Sequence, residues 1–250
     1  MELALFSGTS KLKERASLFY KLARSFVIQQ SRCVLCACRC QKLPMICRYC
    51  YQDVVRFNYQ YLNHNLLNWP NIANKIKHKD IDKLVAAAPY LWPFNQWIPL
   101  LKYHKQYHFS CLLGNIITPF IKQHVYRDGY EDAILIPVPI STSMWLQRQY
   151  NQCHLIGKQI VKRMPDLEYR ADLLAHVGDK KSQVGKSGQA RRKQGAYFEV
   201  LQKRVLQNRS VILLDDVLTT GTTANNIAKL LKKNGVNKVA VVTIALSLPD

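Results

Sequence analysis

Apolar runs of five to eleven residues recur in the second half of the chain, and stretches with helical periodicity lie between several of them. We expect β-strands at 133–139, 172–177, 196–200, 210–216 and 237–247. A helix is predicted over 145–164, and another follows the loop at 219–223 and ends near Gly235. Strands that alternate with helices indicate an α/β fold with a parallel sheet that is covered by helices on both faces.

The first thirty residues have a different pattern, in which five lysines and arginines alternate with apolar positions. This predicts a basic amphipathic helix from about 11 to 28, within an N-terminal region of 1–30. The region lacks the apolar block and the small-residue cleavage site of a secretory signal. We interpret it as a helix that docks on another surface of the protein, and contact with a membrane surface is the alternative.

The segment 178–195 is too polar to pack against a core, because it contains four glycines, six lysines or arginines and almost no apolar residue. We predict a mobile loop there. It could close over an anionic ligand or contact nucleic acid, and the alternative is a solvated loop without a binding role. Its candidate contact residues are Lys180, Lys181, Arg191 and Arg192.

The composition, with 48% apolar and 21% charged residues among 250, is that of a folded globular protein. Lysine and arginine outnumber aspartate and glutamate 36 to 16, which gives a net charge of +20. Such an excess favours a polyanionic partner, because each neutralised phosphate releases counterions. The alternative is a basic surface with no specific partner. No uninterrupted apolar stretch is long enough for a membrane span, so we expect none.

Six of the eight cysteines lie within 33–50, in the sequence CVLCACRCQKLPMICRYC. Two C-x-x-C pairs, Cys33 with Cys36 and Cys47 with Cys50, supply four thiolates for one structural Zn²⁺. Cys38 or Cys40 could exchange with these ligands, and reduced cysteines without a metal are the alternative. The clustering indicates a reducing cytoplasm rather than a secreted disulfide scaffold. We therefore expect a cysteine module at 31–60, followed by a larger domain at 61–250.

Two adjacent aspartates, Asp215 and Asp216, follow the apolar strand residues 211–214. Ligands of parallel sheets bind beyond the carboxyl ends of the strands. The next residues, TTGTT at 219–223, lead into a helix whose first N–H groups suit a phosphate, and Gly221 lets the backbone approach a ligand closely. We expect the carboxylates to take hydroxyl groups or hydrated Mg²⁺, so a ribose 5-phosphate would satisfy both parts.

Aromatic residues alternate with cations around Lys102, His104 and Lys105. Such a pattern could stack and clamp single-stranded nucleic acid. Aromatic residues that pack into the core are the alternative interpretation.

The stretch from 211 to 223 resembles the phosphoribosyl pyrophosphate motif of type I phosphoribosyltransferases. The resemblance implies that Asp215 and Asp216 bind the ribose hydroxyls and that Mg²⁺ accompanies phosphoribosyl pyrophosphate. It also implies that the 5-phosphate is bound by Thr219, Thr220, Gly221, Thr222 and Thr223.

A cysteine module ahead of such a domain is similar to the ComF competence protein family. LLKYHKQY places Lys102 on a family lysine, and RQYNQCHLIGK resembles a family motif at Arg148, Tyr150, Asn151 and Gln152. The loop LIPVPIS resembles the family segment that faces the pyrophosphate, with Pro137, Val138 and Pro139. The segment 180–197 matches a further motif at Gln183 and Arg191.

Three positions depart from these patterns: Gln149 and Gln194 replace a family Gly and Asn, and Thr219 stands where purine-salvage enzymes have an acid. No general base is apparent, so the catalytic residues are unknown and enzyme activity is open.

The resemblance implies a cytoplasmic factor of natural transformation that binds single-stranded DNA and phosphoribosyl pyrophosphate. It also implies a recombination-mediator (DNA-processing) protein as partner, and a DNA-translocating helicase is a further candidate. The nucleic-acid candidates are Lys102, Arg148, Lys180, Lys181, Arg191 and Arg192. The alternative function is a Mg²⁺-dependent phosphoribosyltransferase with an unidentified acceptor, in which the basic loop closes as a lid.

Overall fold

The computed structural model describes residues 31–41, 43–177 and 197–247. The predicted helix at 11–28 and the basic loop at 178–195 lie outside the described residues. The chain divides into two compact units, Met1–Val54 and Val55–Asp250. The second unit begins earlier than the sequence-based boundary at 60/61, because Phe57 donates a backbone hydrogen bond to Ala87 and the Tyr59 hydroxyl donates one to Ala86.

The described part of the first unit is built from two short turns and one helix. Isolated β-bridges join Arg32 to Arg39 and Leu43 to Ile46. The first closes a turn that carries three cysteines, and the second closes a turn that ends one residue before Cys47. The helix α1, Arg48–Asp53, begins after Cys47, whose side chain accepts a hydrogen bond from the Cys50 N–H. The N-cap geometry thus fixes the second C-x-x-C pair.

The second unit is organised around a five-stranded sheet in the order β1-β7-β6-β2-β3, in which every pair is parallel. Its strands are β1 Lys83–Pro89, β2 Ile134–Pro137, β3 Glu168–Tyr169, β6 Ser210–Leu218 and β7 Lys238–Leu246. A separate antiparallel pair consists of β4 Leu174–His176 and β5 Phe198–Val200. This confirms the parallel α/β fold.

The helices of the second unit cover the sheet. They are α2 Pro70–Ala73, α3 Phe94–Tyr103, α4 Phe109–His124, α5 Thr142–Arg148, α6 Gln152–Val161, α7 Lys203–Leu206 and α8 Thr222–Lys233, with 3₁₀ turns at Leu66–Asn68 and Tyr126–Asp128. Successive strand residues point to opposite faces, and the four residues 211–214 of β6 all have 0% exposure. Both faces of the central strand are therefore buried. No helix among the described residues has the length and apolar character that a membrane crossing requires.

The strand predictions need three corrections. The strand β1 was missed, since its alanines have a low β propensity, and burial against β7 forms it instead. The two-residue strand β3 is too short to show a pattern. The runs at 172–177 and 196–200 do form strands, but they pair with each other as β4 and β5 and do not join the parallel sheet.

The single helix predicted over 145–164 is two helices, α5 and α6, separated at Gln149–Asn151. Gln149 has a left-handed backbone with φ of 66°, which ends α5. Asn151 then caps α6, because its side chain accepts hydrogen bonds from the N–H groups of Cys153 and His154. A glycine would adopt this left-handed conformation without steric cost, which accounts for the glycine that the resembling motif has at this position.

Candidate functional site

The two aspartates lie within β6, in agreement with the strand predicted at 210–216. The strand continues to Leu218, and Asp215 is opposite Thr243 of β7. Each carboxylate accepts a hydrogen bond from the next backbone N–H in the chain: Asp215 from Asp216 at 2.9 Å, and Asp216 from Val217 at 2.7 Å. These bonds hold both carboxylates at the carboxyl end of the sheet.

A partly buried cation faces Asp216. Lys102, in the last turn of α3, places its Nζ 2.9 Å from Asp216 Oδ2, and the Asp216 side chain is only 4% exposed. Burial would lower the pKa of the Lys102 ammonium, but the Asp216 carboxylate beside it raises that pKa above its ordinary value. Lys102 is predicted from the sequence as a nucleic-acid contact. No local pattern connects it with Asp216, so this ion pair was missed.

The second carboxylate, Asp215, ionises less readily than an ordinary aspartate. Burial, together with the negative charge of Asp216, raises the pKa of Asp215 to about 7. The thiol of the fully buried Cys153 lies 3.8 Å from Asp215 Oδ1, and burial raises its pKa as well, so it stays protonated and can donate to the carboxylate. The Lys102 ammonium beside Asp216 and the Cys153 thiol beside Asp215 therefore offset part of the repulsion between the two carboxylates.

The carboxylates open into a cavity of ≈ 640 Å³. The cavity is lined by Lys102, Tyr103, Val138, Pro139, Ile140, Ser141, Met144, Arg148, Gln152, His176, Tyr197, Phe198, Asp215, Asp216, Val217 and Thr223. It therefore combines the sheet edge, the helices α3 and α5 and the small β4–β5 sheet. Of the predicted site residues that the structure describes, it gathers Asp215, Asp216, Thr223, Val138, Pro139, Lys102 and Arg148.

The remaining predicted residues of the threonine loop connect β6 to α8. Thr219 and Thr220 are exposed, and Thr222 is the first residue of α8. Gly221 caps this twelve-residue helix without a side-chain hydrogen bond, and the Thr222 N–H donates to Thr220 Oγ1 at 3.4 Å. An anion would therefore meet the other N–H groups of the first turn. The loop can thus take a phosphate beside the cavity.

The structure gives a conformational and a steric reason for a glycine at 221. Gly221 has φ of +70°, and a Cβ there would lie 2.6 Å from the carbonyl oxygen of Lys77. The same segment donates a backbone hydrogen bond from Lys77 N–H to the Thr220 carbonyl at 2.8 Å. Gly221 is therefore needed for packing against the chain at Lys77, and the expectation that it also lets the backbone approach a ligand stays a prediction.

The loop after β2 is fixed by the neighbouring strand and by α6. Pro137 is buried as the last residue of β2. Val138 donates a backbone hydrogen bond to the Leu214 carbonyl at 2.9 Å, and its own carbonyl accepts one from the Asn151 side chain at 2.8 Å. Asn151 therefore joins the helix cap of α6 to the cavity wall, which gives a physical role to the motif at 148–152.

Arg148 is 5% exposed and lies in the cavity wall. Its Nη1 donates to the Gln152 side chain at 3.0 Å, and its guanidinium lies 4.8 Å from the centre of the Tyr103 ring. Lys102 and Arg148 are thus both internal to the cavity, and their assignment to nucleic acid stays a prediction. The other four nucleic-acid candidates, Lys180, Lys181, Arg191 and Arg192, lie outside the described residues.

In the first unit, the sulfur atoms of Cys33, Cys36, Cys47 and Cys50 all lie within 4.8 Å of one another. The Cys36 and Cys47 sulfurs are 3.6 Å apart. A tetrahedral Zn²⁺ with bonds of about 2.3 Å requires sulfurs about 3.8 Å apart, so the four residues fit this metal. Cys38 and Cys40 are outside the cluster, so the structure does not bring either of the two spare cysteines into the set.

The pKa of the Cys33 thiol is lowered, which favours its deprotonation. Burial alone would raise its pKa, but hydrogen bonds from the backbone of Cys47, Cys36 and Leu35 lower it to about 6. Thiolates are the form in which cysteine binds a metal. The backbone around the cluster therefore favours the ligand form of this residue.

Residues 152–248 match the family profile described as the phosphoribosyl transferase domain. The chain is 30% identical over 168 residues to "Competence protein F" of Haemophilus influenzae, which covers 66% of this chain and 72% of that protein. It is 26% identical over 168 residues to "DNA utilization protein YhgH" of Escherichia coli strain K12. That match covers 66% of this chain and 73% of the Escherichia coli protein.

Two solved structures also resemble the chain. Glutamine phosphoribosylpyrophosphate amidotransferase from B. subtilis has 16% identity and a TM-score of 0.39, over 58% of this chain and 30% of that one. Phosphoribosylpyrophosphate synthetase from Mycobacterium smegmatis has 17% identity and a TM-score of 0.35, over 55% of this chain and 34% of that one. The matched part thus spans about a third of each of these structures.

Proposed function

Because the chain belongs to the ComF competence protein family, we propose that it acts in natural transformation, where it binds phosphoribosyl pyrophosphate and single-stranded DNA to support uptake or recombination of incoming DNA. The printed descriptions of its relatives, a competence protein and a DNA utilization protein, support this role. A recombination-mediator (DNA-processing) protein and a DNA-translocating helicase are the proposed partners, and the cytoplasm is the proposed location.

The observation that carries the ligand proposal is that two carboxylates, a helix N-terminus and two cations adjoin one cavity. The loop at 219–223 and the start of α8 would bind the 5-phosphate. Asp215 and Asp216 would accept hydrogen bonds from the ribose hydroxyls. The loop at Val138 and Pro139, together with Arg148, would face the pyrophosphate, since a guanidinium pairs well with phosphate oxygens.

The donor set at the cavity also fits Mg²⁺, which prefers carboxylate and phosphate oxygens. Asp215 and Asp216 would hold it together with the ligand, and the ion would neutralise the pyrophosphate charge. In the structure, the Lys102 ammonium balances the charge of the Asp216 carboxylate. Lys102 is thus proposed to keep this carboxylate ionised and oriented before the ligand arrives.

We assign the four-cysteine cluster to a structural Zn²⁺. All four ligand positions are filled by protein sulfurs, as in structural rather than catalytic zinc sites. Its proposed role is to fold the first unit.

The second candidate function is phosphoribosyl transfer. It is favoured by the position of His176, Tyr197 and Phe198, which line the same cavity from the β4–β5 sheet and would contact a planar acceptor. The Phe198 ring packs edge-on against His176 at 5.1 Å between ring centres. The acceptor amine would displace pyrophosphate at C1 of the ribose. Thr219 at the usual position of an acid leaves this reaction without an apparent general base.

One set of titrations separates the two candidates. The purified full chain is titrated with phosphoribosyl pyrophosphate and Mg²⁺, with single-stranded DNA, and with both. Pyrophosphate release is then measured with nucleobases, nucleotides and oligonucleotides as acceptors. Binding of both ligands without pyrophosphate release supports the binding role, and acceptor-dependent release supports the transferase. Absence of binding to both ligands would refute the proposal.

A further inference from the structure

Three large aromatic side chains on the segments around the cavity are exposed, and two of them do not line the cavity. Tyr103 at the end of α3 is 58% exposed, Tyr107 after it is 48% exposed, and Trp145 on α5 is 52% exposed. Only Tyr103 also lines the cavity. We call these three residues the aromatic platform.

Contacts of Tyr103 and Tyr107 connect the end of α3 and the residues after it to α5 and the residues after it. The Arg148 guanidinium lies 4.8 Å from the Tyr103 ring centre, and Arg148 is one helical turn after Trp145 on α5. The Tyr107 ring packs edge-on against Tyr150 at 4.9 Å between centres. Tyr150 in turn donates a hydrogen bond from its hydroxyl to the Leu101 carbonyl of α3. The segments that carry the three rings are therefore joined to each other.

The two sequence segments that carry the platform residues contain positively charged side chains and no negatively charged ones. The segments 83–127 and 133–165, which supply all three rings, contain no aspartate or glutamate. They do contain Lys105, which is exposed, and Arg148, which lies against the Tyr103 ring. A third cation, Lys102, is already paired with Asp216, so Lys105 is the one of these three that a partner can meet directly. A partner that meets this surface is favoured when it is anionic and carries flat apolar groups.

We propose that the aromatic platform binds single-stranded nucleic acid, with its bases stacked on Trp145, Tyr107 and Tyr103 and its phosphates near Lys105. This rests on the proposed function, which includes single-stranded DNA binding, and it locates that binding at the rim of the cavity. Stacking of unpaired bases on aromatic rings is independent of sequence. Bases within a duplex are stacked on each other, so the platform selects single strands.

The test uses fluorescence anisotropy of the full chain with two labelled probes of the same length, about twenty nucleotides. One is a thymidine oligonucleotide, and the other is an abasic deoxyribose-phosphate strand with the same charge. Trp145→Leu should weaken binding of the thymidine probe by about tenfold, because each base–aromatic stack contributes this order of affinity. Trp145→Phe, which keeps a ring, should restore most of it. Binding of the abasic probe should not change.

Tyr61→Ala is the matched control. Tyr61 is 88% exposed, but it lies near Asn65, which accepts a hydrogen bond from Leu84 N–H at the amino end of β1, whereas the cavity is at the carboxyl end of the parallel sheet. This variant should bind both probes like the wild type. Phosphoribosyl pyrophosphate affinity should be unchanged in Trp145→Leu, since Trp145 does not line the cavity.

The outcomes distinguish this inference from the proposed function. If the wild type binds the thymidine probe and Trp145→Leu binds it equally well, or loses both probes equally, the platform is not a base-stacking site. If the wild type binds no single-stranded probe, the proposed DNA binding fails and the platform assignment fails with it.

Discussion

In the described part of the first unit, residues 31–54, five side chains are buried, and three of them are cysteines: Cys33, Cys40 and Cys47. In the second unit, the strands β1, β6 and β7 each contain at least four successive apolar residues with no exposed surface. Burial of apolar area stabilises the sheet domain, but so small a core cannot stabilise the cysteine module. The difference indicates that a cross-link through the four sulfurs must replace burial in the first unit.

The largest effect is expected when a cysteine of the cluster is changed. Cys47→Ser should remove most of the bound zinc and unfold the module, because metal binding and folding of such a small unit are coupled. Zinc content of the purified protein, measured by mass spectrometry, checks this. Cys38→Ser is the control, since Cys38 is exposed and outside the cluster. Equal zinc content in the two variants would show that the module does not depend on this cluster.

In the second unit, breaking the buried ion pair should have the next largest effect. Lys102→Met leaves the Asp216 carboxylate without its ammonium, which should lower the free energy of unfolding by about 3–5 kcal/mol. The double variant Lys102→Met/Asp216→Asn should recover most of that loss. Denaturant unfolding measures both, and Lys105→Met, an exposed lysine nearby, is the control. Additive losses in the double variant would mean that the two residues are not coupled.

A cavity in the core should affect the second unit alone. Leu213→Ala in the central strand should lower the free energy of unfolding by about 2–5 kcal/mol, since Leu213 is completely buried. Denaturant unfolding gives the loss. The zinc content should stay at the wild-type value, and a parallel loss of zinc would contradict the separation of the two units.

The smallest expected effect is a gain. Gln149→Gly should raise the free energy of unfolding by about 0.5 kcal/mol, because the left-handed backbone costs a non-glycine residue about 1–2 kcal/mol and the freedom of glycine in the unfolded chain offsets part of this. Thermal unfolding is sensitive enough to detect it. Gln149→Ala keeps the strained backbone and should give no gain; an equal gain from alanine would rule out the backbone as the cause.

The fold was predictable where a local pattern and the final packing agree. The buried runs of β6 and β7 are continuous and apolar, and both form parallel strands as expected. The strand β1 was not predictable, because its three alanines form a strand only through burial against β7. The turn at Gln149 was not predictable either, because glutamine rarely has a positive φ and no neighbouring residue is a strong helix breaker.

The candidate site was predictable to the extent that its residues are adjacent in sequence. The four cysteines of the cluster and the acid pair with its threonine loop are each marked by short spacing, and the structure groups each set in space. The cavity's other residues come from distant elements. Lys102 is far from Asp216 in the chain, and His176 and Phe198 reach the cavity only because β4 pairs with β5. Such contacts require the tertiary structure.

The central claim is that the cavity beside Asp215 and Asp216 binds phosphoribosyl pyrophosphate. The most direct test is a calorimetric titration of the full chain with this ligand and Mg²⁺. The wild type should bind, and Asp216→Asn should bind at least about tenfold more weakly, since it removes a charge-assisted hydrogen bond to the ligand. Asp172→Asn, an acid outside the cavity that pairs with Arg170, should bind like the wild type. No binding to the wild type, or equal affinity in all three proteins, would contradict the claim.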